Sequence, residues 1–224
     1  MSEITQVVAI DGPAGAGKSS AAKRVAEALG FHYLDTGAMY RAATWWALDQ
    51  GIDMDNAEAL AEATACMPLE MNDVDGKLQV IVDGRDVTQA IRTPEVTRKI
   101  WRLDQNADVR AHLVELQREY GAKGPTVAEG RDIGTVVFPK AKCKVFLESS
   151  LDERTRRRAR QLADGGTEVN FEALRGEIHE RDEKTRTREV APLRRAEDAV
   201  LLDSTDMTLE EVVDAIVKLA RSVL

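Results

Sequence analysis

The sequence is poor in the residues that most often announce chemistry. It holds two cysteines and three histidines in 224 residues. Cys66 and Cys143 lie far apart without metal-ligand spacing, so the expectation is two reduced, structural thiols and neither a disulfide nor a reactive centre. His32, His112 and His179 read as structural or solvated groups. No apolar run approaches the ~20 residues needed to cross a bilayer. The opening MSEITQ lacks the basic-then-apolar pattern of a secretory signal. Positive charge is not in excess either: the formal net charge is −8, which argues against a nucleic-acid partner or an anionic membrane. Internal repeats, low-complexity tracts and flexible interdomain linkers are missing as well. These absences leave a cytoplasmic globular protein, 43% hydrophobic and 31% charged, long enough for one sizeable α/β core with a small insertion.

Short apolar runs alternate with amphipathic stretches, the pattern of a parallel sheet with crossover helices. The expected core strands are Val7 to Ile10, Phe31 to Leu34, Thr126 to Ala128, Lys144 to Leu147 and Ala199 to Leu202. Ser19 to Leu29 places Ala22, Val25, Ala26 and Leu29 on one helical stripe, which Gly30 ends. Leu209 to Val223 repeats the theme at the other end. The middle breaks the alternation. LEMNDVDGKLQVIVDGRDV, Leu69 to Val87, reads as two alternating runs around Asp75–Gly76 and a third after Asp83–Gly84, a small antiparallel insert. Helices follow, one starting near Pro94 and another over Asp108 to Tyr120.

The clearest motif follows the first strand. GPAGAGKSS, comprising Gly12, Pro13, Ala14, Gly15, Ala16, Gly17, Lys18, Ser19 and Ser20, satisfies G-x-x-x-x-G-K-[ST] between a strand and a helix. Glycines let backbone N–H groups turn inward around phosphate oxygens. The helix N-terminus adds partial positive charge. Lys18 would reach the β- and γ-phosphates, and the Ser19 hydroxyl could ligand Mg²⁺. The motif predicts nucleotide binding and is silent about what receives the phosphoryl group.

Ligands of open parallel sheets sit at the carboxyl ends of strands. Asp35-Thr36-Gly37 with Tyr40-Arg41, Glu129-Gly130-Arg131-Asp132, and Glu148-Ser149-Ser150 all fall at such ends. Asp35 could equally be a helix cap. Downstream, Arg154, Arg156, Arg157, Arg158 and Arg160 crowd one helix, with Arg154, Arg157 and Arg158 on a shared face. That crowding costs stability unless anions or nearby acids neutralise it. Beyond Gly165–Gly166, a second polar helix over Glu172 to Arg188 carries Arg181, Thr185 and Arg188 on one side. Two arginine-bearing helices joined by a glycine turn read as a hinged lid that excludes water from transferring phosphates. The N/T-K-x-D motif of a guanine-nucleotide switch is not found, and ATPase motors are usually longer. A small molecule is therefore the expected acceptor. A kinase of another small acceptor and a nucleotide-dependent regulator remain alternatives.

Taken together, AIDGPAGAGKSS, LDTGAMYRA, the DG-centred insert, EGRDIGTVVFPKAKCKVFL, FEALRGEIHERD and REVAPL resemble bacterial cytidylate kinases, from about Val7 to Leu219. The resemblance implies a single P-loop kinase domain over 1–224 and a monomer. Its core would span about 4–36, 125–150 and 198–224. A monophosphate-binding region would occupy about 37–124 and a helical lid about 151–190. It implies phosphoryl transfer from ATP with Mg²⁺ to CMP, and usually dCMP. Lys18 and Ser19 would then handle the ATP phosphates and the metal. Thr36, Arg41 and Arg131 would hold the CMP phosphate, with Asp35 and Asp132 orienting them or hydrated Mg²⁺, and Arg110 a contact to the base. Arg157, Arg181 and Arg188 would clamp the transferring phosphoryl group or the acceptor.

Trp101 stands where such kinases usually carry a serine, and Thr185 where they usually carry an aspartate that accepts from the ribose hydroxyl. KIWRLDQN is unlike the small-residue text expected there, and Glu129 replaces an aspartate but keeps the acid. The expectation is that phosphoryl transfer persists while ribose and deoxyribose are distinguished differently. The alternative is that Trp101 packs in the core and neighbours replace the serine.

Overall fold

A computed structural model of the chain describes residues 6–74, 77–164, 166 and 168–224. The chain divides into two compact units, 1–34 with 121–224, and 35–120.

The first unit is built on a five-stranded parallel sheet. Its strands are β1 (Val7–Asp11), β2 (His32–Asp35), β6 (Thr126–Gly130), β7 (Cys143–Glu148) and β8 (Val200–Asp203), in the order β2-β6-β1-β7-β8. β1 runs parallel to β6 and β7, with Val7 beside Thr126 and Val8 beside Cys143, and β7 runs parallel to β8. All five residues of β1 are buried, as expected of a central parallel strand covered on both faces. All five strands fall where the apolar runs place them, shifted by a residue or two at their ends.

Helix α1 (Lys18–Leu29) ends as its sequence dictates. Gly30 adopts a left-handed conformation, and its N–H reaches the Ala26 and Glu27 carbonyls. Val25 and Ala26 of α1 pack with Val212, Ile216 and Val217 of α8 (Leu209–Val223) and with Val8, Ile10, Val127 and Val145 of the sheet. Two further helices, α6 (Leu151–Asp164) and α7 (Phe171–Thr187), pack on each other. Asn170 caps α7 by accepting the Ala173 N–H at 3.0 Å. Of the Gly165–Gly166 turn expected here, Gly165 lies outside the described residues, and Gly166 has φ 78°.

The second unit holds the small antiparallel sheet: β3 (Leu69–Val74), β4 (Lys77–Val82) and β5 (Arg85–Asp86). Leu69 faces Val82 and Val74 faces Lys77. The Asp75–Gly76 pair read as the hairpin turn lies outside the described residues. Around it stand α2 (Thr36–Asp49), α3 (Ala57–Ala65), α4 (Pro94–Asp104) and α5 (Ala107–Gly121). Thr93 caps α4, and Pro94 takes its first turn, where no intrahelical N–H is needed. The Arg85 guanidinium binds Asp49 twice and lies 4.7 Å from the Trp45 ring centroid, tying β5 to α2.

Both cysteines are free; Cys66 is exposed and Cys143 buried. Burial pushes the Cys143 thiol up to about 11. Native protein treated with iodoacetamide at pH 8 is therefore expected to be alkylated at Cys66 alone, with Cys143 reacting only after denaturation. Mass spectrometry of tryptic peptides reads the difference.

Candidate functional site

In the first unit, the loop from Gly12 to Gly17 leaves β1 between β6 and β7. Gly12 has φ 153°, and a Cβ there would drive into the Leu147 carbonyl. Gly15 and Gly17 are also left-handed, at φ 75° and 89°. Backbone packing and handedness, not composition alone, require glycine at these turns. Pro13, Ala14 and Ala16 are buried, while Gly15, Ser19 and Ser20 are exposed. The two serine hydroxyls thus stand open on the first turn of α1.

Lys18 is only 6% exposed, and its Nζ donates to the Pro13 carbonyl at 2.7 Å. Burial holds it well below the ordinary lysine range. The neighbouring Arg131 guanidinium, and more weakly Arg181, add to the lowering, while Glu129 and Asp11 oppose it. Lys18 and Arg131 both bond to the Gly12–Gly17 loop, and the Arg181 charge acts on Lys18. Arg131 Nη1 donates to the Gly12 carbonyl at 3.0 Å. Glu129 is buried and accepts from the Tyr33 hydroxyl at 2.8 Å.

Asp11, the last residue of β1, went unremarked in the sequence. Its Oδ1 accepts the Ile133 N–H at 2.7 Å and its Oδ2 the Gly134 N–H at 2.8 Å. These amides open a π-helical turn, Ile133–Val137, that follows Arg131 and Asp132. Burial pushes Asp11 up to about 6 against those two bonds, and Asp132 adds to the rise. The signal available in the sequence was a charge ending an otherwise apolar buried strand.

The arginines that share a face of α6 differ in burial. Arg154 is 5% exposed and forms a pair with the buried Asp182 of α7. Glu153 takes Arg156 and Arg157. Nearby acids thus neutralise the crowding. Arg157 also donates to the Ser204 carbonyl and hydroxyl beyond β8, and its Nη1 stands 3.7 Å from where a Gly17 Cβ would lie. Arg181 is exposed, whereas Arg188 is buried with its Nε on the Ala191 carbonyl at 2.7 Å. Thr185 is buried, its hydroxyl turned back on the Arg181 carbonyl at 2.8 Å.

In the second unit, Asp35 fills both roles open to it. Its Oδ1 caps α2 by accepting the Ala38 N–H, and its Oδ2 accepts from Arg41, each at 2.8 Å. Arg92, which sequence reasoning missed, approaches the same carboxylate at 4.0 Å. Thr36 is buried at the start of α2. Arg110 is buried on α5, 5.6 Å from the Tyr40 ring centroid, and donates to the Asp104 carbonyl at 3.5 Å. Trp101 is half-buried with the Arg102 guanidinium 3.9 Å from its ring centroid, so it is not a fully buried core residue.

A glycine loop joining a buried parallel strand to a helix, with a lysine drawn in beneath it, defines a P-loop nucleotide-binding protein. The chain belongs to the cytidylate kinase family, whose model matches residues 8–222. It is 46% identical over 206 residues to the cytidylate kinase of Carboxydothermus hydrogenoformans, covering 92% of this chain and 93% of that protein. It is 49% identical over 220 residues to the bifunctional pantoate ligase/cytidylate kinase of Synechococcus elongatus. That match covers 96% of this chain, which spans 42% of the longer protein's length. An uncharacterized protein from Eubacterium ventriosum shares the fold, with a TM-score of 0.53 at 12% identity, covering 97% of this chain and 99% of that one. Among the described residues, no helix is long and apolar enough to cross a membrane.

Asp11 supplies a test of the buried charge. Its folded value lies above the unfolded one near 4, so the folded state holds the extra proton between about pH 4 and 6. Stability from this group must fall as pH rises through that window. Urea unfolding of the parent and Asp11→Asn is expected to show a stability difference, parent minus variant, that declines by up to about 3 kcal/mol from pH 4 to 6 and then levels. A constant cost of the substitution leaves that slope unchanged. A difference that stays flat would refute the buried ionisation.

Proposed function

We propose that the chain transfers the γ-phosphoryl group of ATP to CMP, and to dCMP, giving ADP and the nucleoside diphosphate. The observation that carries this reading is the buried Lys18 bonded to the Pro13 carbonyl, with Arg131 bonded to the Gly12 carbonyl of the same loop. A buried lysine ringed by further cations is costly alone and becomes favourable when polyphosphate oxygens arrive. Membership of the cytidylate kinase family supports cytosine as the acceptor's base.

Gly12 through Ser20 would hold the donor's phosphates through backbone N–H groups and Lys18. The loop suits a phosphate chain, since Gly12 has no room for a side chain and Ser19 stands open to solvent. Among the described residues no group of three His, Cys, Asp or Glu side chains could hold a metal unaided. Mg²⁺ would accordingly be ligated by donor phosphates and the Ser19 hydroxyl. Mg²⁺, when bound, would spread the negative charge of the phosphates it bridges. Arg131, Arg157, Arg181 and Arg188 would neutralise the equatorial oxygens and the acceptor's phosphate, with Asp132 orienting Arg131. Thr36 and Arg41 would hold the acceptor's phosphate, with Asp35 orienting Arg41, and Arg110 would meet its base.

The acceptor atom is already an anionic phosphate oxygen, so no general base is needed. Positioning and charge neutralisation supply the rate. That accounts for a site rich in arginine without a catalytic histidine or cysteine. Helices α6 and α7 would act as the cover that keeps water from the donor.

Two measurements test the reading. In a coupled ADP-release assay with CMP, dCMP, UMP, AMP or no acceptor, cytidine nucleotides are expected to stimulate release and the others not; hydrolysis independent of any acceptor would overturn the proposal. In the Trp101→Ser, Thr185→Asp double variant, the kcat/KM ratio of CMP over dCMP is expected to rise about 10- to 100-fold, the worth of one charge-assisted hydrogen bond. An unchanged ratio would show that these positions do not read the sugar.

A further inference from the structure

Asp182 lies on the buried stripe of α7, with Leu174 and Ile178 before it and Thr185 after it. At 2% exposure it is an ion among apolar neighbours and must be fully paired. Its Oδ1 accepts the Ala14 N–H at 3.0 Å, and its Oδ2 accepts from Arg154 Nη1 at 2.5 Å. The same Nη1 donates to the Ala14 carbonyl at 2.8 Å, while Arg154 Nε donates to the Ser149 carbonyl at 3.0 Å. One ion pair thus grips both the donor and the acceptor of a single peptide residue in the middle of the phosphate loop. It also ties that residue to α6, α7 and the end of β7. The Cβ of Arg154 stands 3.3 Å from where a Gly15 Cβ would lie, so the pair supports the loop over two residues.

Buried ion pairs are poor stabilisers, and apolar pairs of similar volume often replace them without loss of stability. An apolar pair cannot hold an N–H and a C=O in place. Arg181, the residue before Asp182, is exposed, and its charge is felt at Lys18. Fixing Asp182 against the loop therefore also fixes the backbone from which Arg181 extends.

We propose that Arg154 and Asp182 are a positioning pair. They preset the conformation of the phosphate loop through Ala14 and register α7, with Arg181, against it. This rests on the reading of the loop as the donor-nucleotide site. It assigns the Ala14 amide to the protein and leaves the remaining loop amides for phosphate.

The test uses the Arg154→Met, Asp182→Leu double variant. Its thermal midpoint is expected to equal or exceed that of the parent, its affinity for MgADP by titration calorimetry without acceptor to fall at least 10-fold, and its CMP-dependent turnover at least 30-fold. A folded double variant with parental MgADP affinity overturns the proposal. Should that variant not fold, amide hydrogen exchange on the unaltered protein decides. The Ala14 N–H is expected to exchange at least 10-fold more slowly than in an unstructured chain, with and without MgADP, and exchange at the unprotected rate overturns the proposal. A parent that fails to phosphorylate CMP sinks the functional reading instead, since MgADP affinity and amide exchange are read without CMP.

Discussion

Charge taken out of water organises the first unit. At the carboxyl ends of its central strands, Asp11, Lys18, Glu129, Asp132, Arg154 and Asp182 are all buried, where an unpaired ion would cost several kcal/mol. Each is matched by a neighbour or a backbone group. Asp11 takes two amides of the π-helical turn, Lys18 a loop carbonyl, Glu129 a tyrosine hydroxyl, and Asp182 an arginine and an amide. These bonds run from β1, the loop and α6 to α7 and the segment after β6. The shape of the loop and the places of its surrounding cations are therefore one problem in electrostatics, solved once for the whole end of the sheet.

The framework was legible because it follows from local rules. Apolar runs of four to six residues, Gly30 after an amphipathic stripe, Pro94 behind a threonine, and Asp83–Gly84 between strands each act over a few residues. The loop motif was legible for the same reason. What the sequence concealed acts at long range. Asp182 bonds to Ala14, 168 residues away, and no spacing announces that. It stands three residues before Thr185 on a stripe otherwise led by Leu174 and Ile178, so a carboxylate on an apolar face was the trace it left. Arg154 was grouped with Arg157 and Arg158 because i, i+3, i+4 spacing is all a helix shows in one dimension. Burial separates it from them. Arg92 sits in a short 3₁₀ turn, Ala90–Arg92, where no periodicity marks a face.

The departures from the family's text have a local logic. A threonine inside a helix can satisfy its own hydroxyl on the preceding turn, and Thr185 does so on Arg181. The buried stripe of α7 thereby carries a single carboxylate, Asp182. Trp101, on the amphipathic α4, keeps a solvated edge and takes Arg102 across its face, an arrangement that needs no polar partner from a small side chain.

The strand that bears the loop is also the centre of the sheet, and both its neighbours lie more than a hundred residues further along the chain. Residues 35–120 form a compact body inside that interval. Closing so long an interval costs about 4 kcal/mol of chain entropy before any ladder bond repays it, and such pairings form slowly. During synthesis the Val7–Ile10 segment must wait without its strand partners until the intervening body has emerged. An apolar strand left so long without its sheet neighbours is where an incomplete chain is most open to wrong pairing.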